Sequence, residues 1–256
     1  MRRLQGRLAV VTGAASGLGA ATAKRLGAEG ATVVVADIDE DDARRVAIEI
    51  ADAGGDAEPT VIDVTHEGEI AALFEAIVDQ HGRLDVLVCS AAVETRASVV
   101  DTTDAAWRRV LDVNLKGPFL CMKHGLPTMV ASGGGSVILL GSVLGTVGSP
   151  SYAAYCTSKG ALVNLAKQAA IEHAADGVRV NVISPGACDT GLFAEMASKS
   201  PDPEATLRAV AARMPMGRLG TEADVVETIM FLASDESSYI SGTTIPLDGG
   251  LAARRT

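Results

Sequence analysis

The chain has 256 residues and a formal net charge of −10; 48 % of its residues are hydrophobic, 21 % charged and only 3 % aromatic. A surface this acidic repels phosphate backbones and anionic headgroups, which argues against nucleic-acid and membrane-surface partners. The aromatic scarcity calls for a core of Ala, Val, Leu and Ile, which suits helices packed closely on a sheet.

The first strand is predicted at 7–12, "RLAVVT". Its apolar run, Leu8 to Val11, is too short for a secretory h-region. It leads into "TGAASGLG", where Gly13, Gly17 and Gly19 bracket Ser16 and Leu18 before a helix over 17–29. Glycines there let a pyrophosphate approach the free N–H groups of a helix N-terminus. No Lys-Ser or Lys-Thr pair follows, so the turn is not a P-loop.

The second strand, 32–37, ends at Asp37, placed to accept hydrogen bonds from both hydroxyls of an adenosine ribose and to repel a 2′-phosphate. Neither Ser16 nor Ile38, where such a phosphate would want a cation, is Arg or Lys. The reading is therefore NAD rather than NADP. After a helix at 40–53, a third strand at 57–63 ends at Asp63, followed by Val64. In this topology the two residues flank an adenine ring, although Asp63 serves equally as an N-cap for the helix at 67–81.

A fourth strand, 84–90, runs into Ser90 and Ala91 and then a loop bearing Glu94 and Arg96, candidates for a polar group of the substrate. A helix follows at 104–131, with a break expected near Gly117-Pro118. The fifth strand, 135–142, places Ser142 at its C-terminal end, where ligands bind in such sheets.

"YAAYCTSK" opens the next helix, over 152–174. Tyr155 and Lys159 are i and i+4 and share a face; Tyr152 lies in the first turn. A phenol near pKa 10 needs about 4 kcal/mol of help to act as a base near pH 7. One cation at ~4 Å supplies roughly that at an effective dielectric of 20. Burial alone works against it.

A sixth strand at 178–184 precedes a stretch over about 187–215 that reads as a cover over the substrate, with Leu192, Phe193 and Met196 facing an apolar body. A helix at 222–233 and an edge strand at 243–250 close the chain; Pro246 cannot donate to a central ladder. Six strand-helix alternations without an internal linker predict one α/β domain over 1–256. Its doubly wound, Rossmann-type parallel sheet has about seven strands and helices on both faces. His66, His81, His124 and His173 show no metal-ligand spacing, and Cys89, Cys121, Cys156 and Cys188 form no CxxC pair, which suggests reduced thiols, a cytoplasmic location and no metal.

These residues resemble the classical short-chain dehydrogenases/reductases over essentially the whole length, through "TGAASGLG", "DVNLKG" at 112–117, Ser142, "YCTSK" at 155–159, "SPGACDT" at 184–190 and "LDGG" at 247–250. The resemblance implies hydride exchange between NAD and a secondary alcohol or ketone. Tyr155 would move the proton, Lys159 would lower its pKa and hold the nicotinamide ribose, Ser142 would bind the substrate oxygen, and Asn114 would join a water-linked relay. It also places Pro185, Gly186, Cys188 and Thr190 at the nicotinamide end and suggests a homotetramer. Cys89-Ser90-Ala91-Ala92 stands where the family usually has Asn-Asn-Ala-Gly, and Ala92 would restrict a turn that glycine frees. The alternatives are an NADP-dependent ketoacyl-type reductase and a non-catalytic NAD-binding regulator. A serine hydrolase is set aside, because "LGSVLG" is no G-x-S-x-G elbow.

Overall fold

The computed structural model describes residues 2–188, 198 and 200–253. Seven parallel strands form one sheet in the order β3-β2-β1-β4-β5-β6-β7. They are β1 (Leu8–Thr12), β2 (Thr32–Asp37), β3 (Asp56–Val61), β4 (Val86–Cys89), β5 (Gly135–Leu140), β6 (Val178–Pro185) and β7 (Thr244–Leu247). The helices between them are α1 (Gly17–Ala28), α2 (Glu40–Asp52), α3 (Glu67–His81), α4 (Asp104–Leu111), α5 (Gly117–Ala131), α6 (Ala153–Glu172), α7 (Pro203–Ala211) and α8 (Glu222–Ala233).

Strand alternation divides the core into two layers. Leu8 and Val10 pack with α3, α5 and α6, while Ala9 and Val11 pack with α1, α2 and α8. Both faces are thus covered, as near-continuous β-branched strands require. The order reverses between β1 and β4, so their C-terminal ends open a crevice, the place where ligands bind in such sheets.

Three expectations need correction. β3 is not buried: it is the edge opposite β7, it stops at Val61, and Val61 is half exposed. Pro59, which lacks an N–H, fits such an edge. The break in the helix over 104–131 comes before Gly117-Pro118, in a π-helical turn at Asp112–Lys116. Pro118 instead sits in the first turn of α5, where a missing N–H leaves no intrahelical bond unmade. Finally, Ala92 needs no glycine: Ser151 (φ 64°) is the one non-glycine with positive φ among the described residues.

Candidate active site

The first βα turn has the shape of a phosphate cradle. A Cβ on Gly19 would stand 1.9 Å from the carbonyl oxygen of Gly13, so only glycine permits the helix to start this close to the turn. Gly17 (φ +50°) has the opposite surroundings: its Cβ would meet nothing within 4 Å and would project into open space at the head of α1. Ser16 caps α1 in an extended conformation without a side-chain bond to the helix, which leaves the first-turn N–H groups to an anion. The residues present fit a dinucleotide pyrophosphate.

Beyond the turn, Asp37 Oδ2 accepts from the Ala15 N–H at 2.9 Å and Oδ1 from the Asp39 N–H at 3.2 Å. Both bonds fix the carboxylate beside the turn while the neighbouring Ile38 is 67 % exposed. Asp63 does not cap α3; His66 occupies that position. Its Oδ1 accepts from the Thr65 N–H and hydroxyl, each at 2.8 Å. Burial works to raise its pKa, yet the two Thr65 bonds hold the carboxyl below its ordinary value.

One cavity of about 1330 Å³ runs from this turn across the sheet edge. Gly13, Ser16, Leu18, Asp37, Asp63 and Val64 line one part, and Ser90, Ala91, Pro185, Gly186 and Cys188 line it further along. Typical ligand sites hold roughly 300–1,000 Å³; this one is larger. Burial pushes the Cys188 thiol up to about 11, so it is not a nucleophile near neutral pH.

The same wall carries Ser142, Tyr155 and Lys159. Ser142 lies just past β5 and caps a short 3₁₀ turn, its Oγ accepting from the Leu144 N–H at 3.2 Å. The Tyr155 phenol borders the same cavity, and the Ser142 hydroxyl works to lower that phenol's pKa. Burial pushes that phenol up to about 12, opposed by the Ser142 hydroxyl and reinforced by the Glu94 carboxylate.

Lys159 is placed otherwise than the sequence suggests. It is 3 % exposed, and its Nζ donates to the Leu140 carbonyl at 2.6 Å. It stands 5.7 Å from the centroid of the Tyr155 ring. Burial lowers its pKa to about 8. With its amine turned to the Leu140 carbonyl, Lys159 is not among the groups that chiefly shift the phenol; burial is the first of them.

Asn114, fully buried in the π-helical turn, uses its whole amide. Oδ1 accepts from the Val93 N–H at 2.8 Å, and Nδ2 donates to the Val93 carbonyl at 2.8 Å and to Ser158 Oγ at 3.2 Å. This ties the segment after β4 to α6. A second tie joins Ala97 to Tyr152 and Ala153. Tyr152 meets Tyr155 edge to face, with centroids 6.2 Å apart, and the Arg96 guanidinium sits 5.2 Å from the Tyr152 centroid.

Glu94 and Arg96 thus face the same cavity as Tyr155. Thr190, Leu192, Phe193 and Met196, with residues 189–197 and 199 of the expected cover over 187–215, lie outside the described residues; α7 and Met214 border the cavity from its far end. Sequence reasoning missed the Leu140 carbonyl, Val93 and Arg45, whose Nη2 donates to the Ala15 carbonyl at 3.1 Å. Backbone partners leave no side-chain signal, and Arg45 reads as an ordinary helix-surface charge. Among the described residues no group of His, Cys, Asp and Glu is arranged to hold a metal.

The sequence model of a family described as enoyl-(acyl carrier protein) reductase matches residues 13–252. A cis-4-hydroxycyclohexanecarboxylate dehydrogenase of Sinomonas cyclohexanicum is 44 % identical over 248 residues, 96 % of this chain and 97 % of that protein. The crystal structure of a levodione reductase superposes with a TM-score of 0.94 at 29 % identity, covering 99 % of this chain and 100 % of the other. A protein described as an NAD(P)-dependent gluconate 5-dehydrogenase from Beutenbergia cavernae, holding NADP at low occupancy, gives 0.91 at 37 % identity, with 98 % of each chain covered.

Proposed function

The chain belongs to the classical short-chain dehydrogenase/reductase family and is an oxidoreductase; from that premise we propose that it passes a hydride between NAD(H) and a secondary alcohol or ketone, with Tyr155 as the proton carrier. The observation that carries this reading is the placing of Ser142, Tyr155 and buried Lys159 on one wall of the cavity. Ser142 holds the reacting oxygen and steadies charge as it develops there. In the reductive direction a phenol near 12 is already protonated and ready to donate.

The oxidative direction sets the harder demand. Bringing that phenol down to about 7 takes roughly 7 kcal/mol, and one cation at ~4 Å gives only about 4 kcal/mol at an effective dielectric of 20. Two cations are required. When bound, oxidised nicotinamide supplies the hydride acceptor and a positive charge. Lys159, mostly charged below its pKa of about 8, is the other once its ammonium turns from the Leu140 carbonyl towards the phenol. Asn114 acts as a positioning residue: its side-chain amide is engaged by Val93 and Ser158 and holds the segment after β4 against α6.

NAD is favoured over NADP by Asp37, by the absence of a cation at Ser16 and Ile38, and by Arg45. That guanidinium is engaged by Asp42 and Glu49 as well as the Ala15 carbonyl, and so is not free to meet a 2′-phosphate. The hydroxyl on a six-membered ring in the relative's name, together with apolar Val143, Leu144, Val210 and Met214 along the cavity, supports a carbocyclic alcohol as substrate. The net charge of −10 speaks against an acidic carrier protein as partner. Exposed Phe119 on α5 and Ile171 on α6 support a homotetramer joined through these helices, and four unpaired thiols support a reducing, cytoplasmic setting.

Tyr155→Phe tests the assignment. The variant is expected to bind NADH as the wild type does, by fluorescence titration, and to turn over a secondary alcohol at least about a hundredfold more slowly. Near-normal turnover removes Tyr155 from its role. Absence of turnover in the wild type across a panel of secondary alcohols and ketones would favour the regulator.

A further inference from the structure

Arg96 is built into the site in a way that a solvated loop arginine is not. The loop that carries it is clamped on both sides, by Asn114 gripping Val93 and by the bridge between Ala97 and Tyr152. Ser151, with its left-handed φ of 64°, turns the chain directly before Tyr152. A non-glycine residue held in that conformation carries strain of a kind that concentrates at functional sites. The guanidinium then lies over the Tyr152 ring. Tyr152 in turn touches Tyr155 edge to face. The cation is thereby held one aromatic ring away from the proposed proton carrier.

Its only acidic partner among the described residues is Glu94, at 3.6 Å from Nε, beyond hydrogen-bond distance. A guanidinium presents five N–H donors in a planar fork, so most of that fork remains available. Arg108, Arg109 and Arg213 border the same cavity; Arg108 pairs with Asp104, and Arg96 is the one arginine stacked on a ring among the described residues. In a chain of net charge −10, an arginine pre-organised beside the reacting centre is an arrangement for an anion.

We infer that Arg96, stacked on Tyr152, binds a carboxylate of the substrate, so that the alcohol oxidised at Tyr155 belongs to a hydroxy acid whose carboxylate lies across a small ring or chain from the carbinol carbon. This rests on the proposed alcohol dehydrogenase reading and adds the anion as the element of substrate selection. The relative that acts on 4-hydroxycyclohexanecarboxylate is consistent with it.

The test compares cis-4-hydroxycyclohexanecarboxylate with its methyl ester, using NAD and scoring kcat/KM. Wild type is expected to prefer the acid. In Arg96→Gln the acid-to-ester ratio falls by about 10- to 100-fold, the scale of one charge-assisted pair, chiefly through KM. Arg96→Lys restores part of that ratio, since it keeps the charge and loses the fork. A binding arm needs no turnover: cyclohexanecarboxylate with NADH raises the melting temperature of wild type but not of Arg96→Gln. The inference is overturned if wild type handles acid and ester alike, if Arg96→Gln slows both equally, or if the carboxylate stabilises both proteins to the same extent. Turnover of neutral alcohols without preference for the acid would sink Arg96 as the anchor and leave the dehydrogenase reading standing.

Discussion

Replacing Lys159 by Met separates stability from catalysis. The ammonium is 3 % exposed and its one hydrogen bond among the described residues goes to the Leu140 carbonyl. Burial moves its pKa from 10.5 to about 8, which corresponds to roughly 3 kcal/mol of disfavoured charge at pH 7. Methionine fills a similar volume without that penalty, while the orphaned Leu140 carbonyl gives back about 1 kcal/mol. The net gain of about 2 kcal/mol raises the melting temperature by roughly 4–8 °C in a domain of this size.

The sign follows from linkage. Between about pH 8 and 10.5 the unfolded lysine holds a proton that the folded one has lost, so the wild type gains stability as pH rises through that window. The advantage of Lys159→Met is therefore full below about pH 8 and shrinks steadily towards pH 10. Differential scanning calorimetry at pH 7 and at about pH 9.5 reads both effects, and turnover of a secondary alcohol falls at least about a hundredfold, as loss of one of the two cations requires. A variant that melts below wild type at pH 7, or whose difference in melting temperature is the same at both pH values, refutes the reasoning.

Two other substitutions test the flanking parts. Asp37→Asn keeps an acceptor for the Ala15 N–H and removes the charge, so the preference for NAD over NADP in kcat/KM is expected to fall about tenfold, with little change for NAD itself. Asn114→Ala leaves both backbone groups of part-buried Val93 without their partner, at about 1 kcal/mol each. The variant should melt several degrees lower and lose kcat, while a pH profile of unchanged shape would mark the role as positioning.

Much of the fold was legible because β-branched runs bounded by Gly, Asp and Pro have few other uses. The glycine turn before α1, Asp37 at the end of β2 and the Tyr155–Lys159 spacing on α6 all carry side-chain chemistry that spacing exposes. What escaped depends on pairings the chain makes at long range. The exposure of β3 follows from its place at the sheet's edge, for which Pro59 was the one signal in the strand and went unused. The π-helical turn carries Asn114, which reaches back to Val93, a bond spanning 21 residues between an amide and a backbone unit. Likewise the partner of Lys159 is a carbonyl, which every residue possesses, and a helix position i+4 from Tyr155 says nothing of which oxygen the amine prefers.

The measurement that bears most directly on the central claim is an ultraviolet titration of Tyr155 itself. The chain has only three tyrosines, so the phenolate difference spectrum of wild type minus Tyr155→Phe isolates one ring. The account predicts no ionisation of Tyr155 up to pH 10 in the protein alone, in keeping with its value of about 12. With NAD bound its pKa should drop by about 3 units or more, and by far less with uncharged reduced nicotinamide. A phenol that titrates alike in all three states would contradict the account.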